Sequence, residues 1–79
     1  MKLQIHWFAA FREATGHSKE SVGSEAATVS ELFEEMKTRH PALASARGAK
    51  VAINDELADW NSTLKDGDKI LFFPPVAGG

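Results

Sequence analysis

Cysteine is absent from this chain of 79 residues, and that absence removes several kinds of chemistry at once. Without cysteine the chain can form no disulfide, present no thiolate nucleophile and ligate no metal through sulfur. Because short secreted domains commonly depend on disulfides for stability, the composition favours a cytoplasmic location.

Long apolar runs and an excess of basic charge are also lacking. No stretch approaches the roughly 20 apolar residues needed to span a bilayer, and the first residues lack the block pattern of a signal peptide. Nine basic and eleven acidic residues give a net charge of −2, whereas nucleic-acid-binding domains carry a basic patch or stripe. We therefore expect neither membrane nor nucleic-acid binding.

Patterns typical of catalytic and metal sites are missing too. His6, His17 and His40 are far apart and lack metal-ligand spacing, so we predict no metal site. No serine or threonine has the base and orienting acid of a nucleophilic triad. Asp66 and Asp68 flank a glycine, which favours a tight turn over a carboxylate pair. A domain this small has little room for a deep cleft, so we expect function on the surface, at an end or in a partner's site.

Hydrophobic periodicity predicts the secondary structure. Residues 2–8, 17–24, 50–54 and 69–73 are predicted strands. Residues 28–40 carry apolar residues at i, i+3, i+4 and i+7, which predicts a helix begun by a capping box of Thr28 and Glu31. A helical turn is predicted over residues 9–16, and a surface loop over 41–49. Three residues are expected as satellite core residues: Leu57, Trp60 and Leu64.

The order strand, strand, helix, strand, strand predicts an α+β fold of the ubiquitin-like β-grasp type. In that fold one mixed sheet packs on one main helix, with the first and last strands central and parallel. Residues 1–75 are the predicted domain, and residues 76–79 are a predicted flexible C-terminal tail.

The last predicted strand carries apolar residues on both faces. Side chains alternate along a strand, so Leu71 and Phe73 share one face while Ile70 and Phe72 share the other. Only one face of the sheet can meet a single helix. Leu71 and Phe73, joined by Phe8 from the neighbouring strand, should therefore form an exposed cluster that marks an interaction site. The alternative is that loop residues such as Trp60 cover this face.

The C-terminal residues suggest a reactive terminus. Two prolines, Pro74 and Pro75, end the strand because neither has an amide hydrogen for the ladder. The remaining four residues form a slim tail: Val76, Ala77, Gly78 and Gly79. Glycines lack Cβ, so another protein could close a narrow channel around them. A terminal carboxylate can be adenylated there, and a sulfur nucleophile can then replace the adenylate to leave a thiocarboxylate.

Two segments carry a family resemblance that spans essentially the whole chain. The sequences FAAFREATG at 8–16 and LKDGDKILFFPPVAGG at 64–79 resemble the MoaD-type small subunits of molybdopterin synthase, which are sulfur carriers. Thiamine-pathway carriers share the fold and the diglycine, but they are usually shorter and lack the FFPP exit.

The resemblance implies a protein cosubstrate that binds no cofactor of its own. An ATP-dependent, ubiquitin-activating-like adenylyltransferase would adenylate Gly79, and sulfur would then be installed as a thiocarboxylate. The thiocarboxylated carrier would donate that sulfur to cyclic pyranopterin monophosphate to form molybdopterin.

The resemblance also implies an assembly and an interface. The small subunit would dock on the large synthase subunit in a heterotetramer of two small and two large subunits, with its tail in the large subunit's active site. Two sets of residues match the family's: Val76, Ala77 and Gly78 as the threading tail, and Phe8, Leu71, Phe73, Pro74 and Pro75 as the docking surface.

Two other functions remain open at this point. The chain could carry sulfur in thiamine, tungsten-cofactor or tRNA-thiolation chemistry. It could also be a non-catalytic ubiquitin-like interaction module with an inert tail.

Overall fold

The computed structural model describes residues 1–45 and 48–74. The strands in this part of the chain are β1 (Lys2–Trp7), β2 (Lys19–Gly23), β3 (Lys50–Ile53), β4 (Glu56–Ala58) and β5 (Lys69–Phe73). The helices are α1 (Ala10–Thr15) and α2 (Val29–Arg39), and a 3₁₀ helix follows at Pro41–Ser45. The predicted order of elements is confirmed, with β4 as an addition.

The strands form one mixed sheet in the order β2-β1-β5-β3-β4. β1 and β5 run parallel, with Gln4 beside Lys69 and Trp7 beside Phe72. All the other pairs of strands are antiparallel. The predicted central parallel pair of first and last strands is therefore confirmed, and it places the end of β5 in the middle of the sheet.

The core lies between one face of the sheet and α2. The helical stripe is buried as its spacing predicts, and β1 and β5 supply the facing side chains. The residues of this layer are Leu3, Ile5, Trp7, Val29, Leu32, Phe33, Met36, Ile70 and Phe72. Their burial from water is the main source of stability for the two layers.

The ends of the helices are set by local signals in the sequence. Thr28 Oγ1 accepts a hydrogen bond from the Glu31 amide at 3.3 Å, as a capping box requires. The Glu31 carboxylate reaches back to the Ala27 amide at 2.8 Å, one residue before the cap. α1 ends at Gly16, whose φ of 79° is the left-handed conformation that glycine favours.

Two expectations about buried residues were wrong. Residues 41–49 were expected to be a surface loop, but the 3₁₀ helix within them buries Leu43 completely. Leu57 was expected in a satellite core but is 82% exposed. Asn54 and Asp55 both have positive φ, as a two-residue hairpin turn requires. The resulting register puts Leu57 opposite Ala52, on the sheet face away from α2.

The turn before β5 is fixed by the carboxylate of Asp68, which is buried. Its two oxygens accept hydrogen bonds from the Asn54 side chain at 2.9 Å and from the Lys65 amide at 2.8 Å. The neighbouring carboxylate of Asp66 accepts one bond, from the Lys2 amide at 2.7 Å. The predicted turn is therefore confirmed, and its two acids bind the chain's own donors.

Replacing Asp68 by alanine should lower the free energy of unfolding by about 2–3 kcal/mol, because two part-buried hydrogen bonds to a charged acceptor are lost. Asp66→Ala is the matched control and should cost less than about 1 kcal/mol, because its partner is exposed to water. Urea unfolding of both variants measures the difference. Equal losses would contradict the role assigned to Asp68.

Candidate docking surface

The sheet has one face against α2 and a second face that points away from it, called here the open face. Phe11 of α1 packs edge-on against Trp7, with ring centroids 6.4 Å apart. Helix α1 therefore contacts the same face of the sheet as α2. The strand positions of the open face are Lys2, Gln4, His6, Lys19, Ser21, Gly23, Lys50, Ala52, Leu57, Lys69, Leu71 and Phe73. Phe8 follows β1 in the same alternation.

Three of the predicted interface residues come together on this face. The Phe8 amide donates to the Phe72 carbonyl at 3.3 Å, which continues the parallel register and sets Phe8 beside Phe73. Phe8 is 49% exposed, and Leu71 and Phe73 are half-buried. The sequence-based expectation that these side chains share a face of the sheet agrees with the pairing; their role in docking stays a prediction.

Trp60 lies on the opposite side of the sheet. Its ring is 5.3 Å from that of Phe33 and 6.1 Å from that of Phe72, centroid to centroid. Both of these partners belong to the core between the sheet and α2. Trp60 therefore does not cover Leu71 and Phe73.

Sequence reasoning missed two further residues of the open face, Ala52 and Leu57. Ala52 lies between Leu71 and Leu57 in the strand pairing and is itself buried, at 6% exposure, so it links the half-buried Leu71 to the exposed Leu57 across β3. We call Phe8, Ala52, Leu57, Leu71 and Phe73 the apolar patch.

His6 also lies on the open face, where it pairs with Leu71. Its Nε2 is buried without a hydrogen-bond partner in the described residues. Only the register between strands brings these residues together, and no single-strand pattern carries that information.

The last described residue is Pro74, which is half-buried and follows β5 directly. The predicted remainder of the site lies outside the described residues: Pro75, Val76, Ala77, Gly78 and Gly79. The apolar patch thus borders the point where the chain leaves the sheet toward its terminus.

A hydrogen-bonded cluster supports β1 from the core side. Glu20 Oε1 accepts from Trp7 Nε1 at 3.0 Å and lies 2.9 Å from His40 Nε2. Burial acts to raise the pKa of Glu20. The hydrogen bonds from Trp7 and His40, with the charges of His40 and His17, outweigh it, so the pKa lies below its ordinary value of 4.5.

This lowered pKa makes stability depend on pH. The contribution of Glu20 is fully present above pH 4.5 and is lost as the pH falls through the lowered folded-state pKa. Glu20→Gln keeps an acceptor for Trp7 but does not titrate. We therefore expect wild type to lose more unfolding free energy than Glu20→Gln between about pH 7 and pH 3, as measured by urea unfolding. Parallel losses in the two proteins would contradict this.

Metal-holding clusters and membrane-spanning helices are both absent from the described residues. Residues 1–45 and 48–74 contain no cluster of three or more histidine or acidic side chains that could hold a metal. A surface cavity of about 680 Å³ lies between the β3–β4 hairpin and the segment before β5, and its lining includes Asn54, Glu56 and Lys65. No helix in the described part of the chain is long and apolar enough to cross a membrane.

The sheet order, the single main helix and the open face define a protein of the ubiquitin-like β-grasp class. Solved structures agree. Molybdopterin converting factor subunit 1 from Pyrococcus furiosus matches with a TM-score of 0.86 and 32% identity, over 96% of this chain and 99% of that one. Small archaeal modifier protein 1 of Haloferax volcanii matches with a TM-score of 0.84 and 26% identity, over 95% and 98%.

Sequence comparison defines the family. The model of the ThiS family matches residues 5–79, and the chain belongs to the ThiS family. The molybdopterin synthase sulfur carrier subunit of Haemophilus influenzae is 38% identical over 98% of this chain and 99% of its own. The corresponding subunit of Escherichia coli is 35% identical over the same shares. The resemblance to MoaD-type carriers is therefore confirmed.

A further solved structure contains a partner. In the protein–protein complex of subunits 1 and 2 of the molybdopterin-converting factor from Helicobacter pylori, the matching chain has a TM-score of 0.68 and 30% identity, with full coverage of both chains.

Proposed function

We propose that this chain is the sulfur-carrier subunit of a molybdopterin synthase. The observation that carries the proposal is the likeness, over essentially the whole chain, to subunits of that name at 35–38% identity. The FFPPVAGG ending and an apolar patch beside the exit of β5 support it.

The chemistry of the carrier would be confined to Gly79. Its carboxylate oxygen attacks the α-phosphorus of ATP on an activating enzyme, pyrophosphate leaves, and an acyl-adenylate forms. A sulfide-level nucleophile then attacks the carbonyl carbon, the bond to the adenylate oxygen breaks, and AMP leaves. The product is a terminal thiocarboxylate. Two such carriers would supply the two sulfurs of the molybdopterin dithiolene: each sulfur bonds to a carbon of cyclic pyranopterin monophosphate in place of an oxygen substituent, and water then cleaves the acyl–sulfur bond and restores the Gly79 carboxylate.

The folded body of the chain would position the terminal carbonyl for this chemistry. Binding at the apolar patch holds the start of the tail against the partner, so the last carbonyl need only be placed by the few residues after Pro74. Holding the reacting groups together in this way converts a bimolecular step into an effectively unimolecular one. The partners would be the large synthase subunit, in a heterotetramer, and an adenylyltransferase. All of these steps take place in the cytoplasm.

A second candidate is a carrier or modifier role outside molybdopterin synthesis. The match to small archaeal modifier protein 1 at a TM-score of 0.84 favours keeping this candidate. Both roles use an activated Gly79 carboxylate. They differ in the protein that accepts the tail.

The test is reconstitution with purified components. The thiocarboxylated full-length chain is mixed with cyclic pyranopterin monophosphate and the large synthase subunit from the same source, or with a thiazole synthase as control. We expect molybdopterin only with the large subunit. Consumption of the thiocarboxylate with the thiazole synthase, and no molybdopterin with the large subunit, would overturn the proposal in favour of the second candidate.

A further inference from the structure

The strand positions of the open face carry charge of one sign only, although the carboxylate of Asp55 in the β3–β4 turn pairs with one of them, Lys69. Although the chain has a net charge of −2, the strand positions of this face carry four lysines and no carboxylate: Lys2, Lys19, Lys50 and Lys69. The acidic residues Glu20 and Glu56 belong to the opposite face, since they pair with the core-facing Ile5 and with Ile53. The strand positions therefore separate lysine from glutamate between the two faces of the sheet.

Three of these lysines border the apolar patch. Lys19 is the cross-strand neighbour of His6 on the β2 side, and Lys50 is the cross-strand neighbour of Phe73 on the β3 side. Lys69 lies on the same face as Leu71, two residues before it at the start of β5. Lys50 stands at the same end of the patch as Pro74, which leads into the C-terminal residues. The β4 side ends at the exposed Leu57, so lysines border the patch on the β2 side and at both of its ends along the strands.

Protection of sheet edges does not explain this arrangement. Lysines on edge strands commonly prevent sheets from pairing with one another, and Lys19 on β2 could serve that purpose. Lys50 and Lys69 lie on β3 and β5, which are paired on both sides. Lys19 and Lys50 are exposed, and Lys69 forms a surface ion pair with Asp55 at 2.8 Å.

We propose that the surface of the large synthase subunit that receives the open face carries carboxylates around an apolar centre, opposite Lys19, Lys50 and Lys69. This inference rests on the proposed function and adds the chemistry of the partner. An apolar centre with a charged rim is typical of protein–protein interfaces, and it favours a protein over a nucleic acid as the occupant. Opposite charges at the rim act mainly on the rate of association.

The experiment measures association of the full-length chain with the large subunit by stopped flow at low and high salt. The test variant is Lys19→Gln/Lys50→Gln, which removes two rim charges without touching the patch. The controls are Lys37→Gln on α2, on the other side of the sheet, and Phe8→Asp within the patch. Lys37 pairs with Glu34, and its ammonium lies 5.5 Å from the centre of the Phe33 ring. Both are weak contacts of a partly exposed side chain, so the loss of its charge should leave the fold intact.

For wild type we expect the association rate constant to fall as salt rises, since the Debye length shrinks from about 10 Å at 0.1 M. At low salt the double lysine variant should associate about tenfold more slowly than wild type. Its salt dependence should be flatter, and the two rates should converge at high salt. Lys37→Gln should associate at nearly the wild-type rate.

Three results would overturn the inference, and they differ from one another. A salt-independent wild-type rate, or equal slowing by Lys37→Gln, would show that the lysines of the open face have no special role. If either of these results is found and Phe8→Asp still abolishes binding, the proposed function stands, because the chain then docks through the apolar patch. If the large subunit binds neither wild type nor any variant, the proposed function fails and the inference fails with it.

Discussion

Deletion of Gly79 should lower the rate of sulfur transfer to cyclic pyranopterin monophosphate by at least about 100-fold. Removing one residue shortens an extended chain by about 3.5 Å, so the new terminal carbonyl stops short of the reacting groups in the partner. A misplacement of about 1 Å can already cost roughly 100-fold in rate. Molybdopterin formation in the reconstituted system measures the loss.

The truncated chain is also its own control for folding and docking. The core and the apolar patch lie within residues 1–74, so the midpoint of thermal unfolding and the affinity for the large subunit should stay near those of wild type. The truncated chain should therefore compete with wild type for the large subunit. Wild-type rates of molybdopterin formation by the truncated chain would contradict the role of Gly79.

Phe8→Asp should weaken binding to the large subunit by about 2 kcal/mol or more, which is roughly a 30-fold rise in Kd. Phe8 is 49% exposed and directly follows β1 in the chain. It is therefore available to fill a pocket of the partner, and a carboxylate there would be buried without a countercharge. Isothermal titration calorimetry with the large subunit measures the change.

The control for this variant is Ser30→Asp, which adds the same charge on α2, behind the sheet. Ser30 is exposed in the first turn of the helix, where a negative charge is tolerated well. This variant should bind within about threefold of wild type, since surface changes away from an interface have small effects. Equal weakening by both variants would count against the apolar patch as the docking surface.

Much of the fold could be predicted because its main signals are local. The stripe of Val29, Leu32, Phe33 and Met36 is long enough to define a helix, and the alternation in residues 2–7 defines a buried strand. β4 has only three residues, too few to show a period. The burial of Leu43 depends on α1 and α2 packing around the 3₁₀ helix, which no local pattern expresses.

The candidate site likewise has one part that the sequence predicts and another part that it does not. Leu71 and Phe73 follow from alternation within β5 and a single covering helix. The lysine rim and the contribution of Leu57 depend on the register of several strand pairs, which is set by the two-residue turn at Asn54–Asp55 and by the parallel pairing of β1 with β5. Such long-range pairing cannot be derived from the spacing of residues along one strand.

Intact-mass spectrometry of the full-length chain, after incubation with its activating enzyme, ATP and a sulfur donor, measures whether Gly79 carries sulfur. We expect a mass increase equal to the exchange of one oxygen for one sulfur, located by fragmentation at Gly79. The chain lacking Gly79 should show a greatly reduced exchange under the same conditions. An unchanged mass for the full-length chain, with an enzyme that charges the Escherichia coli sulfur carrier subunit in parallel, would contradict this sulfur-carrying role of Gly79.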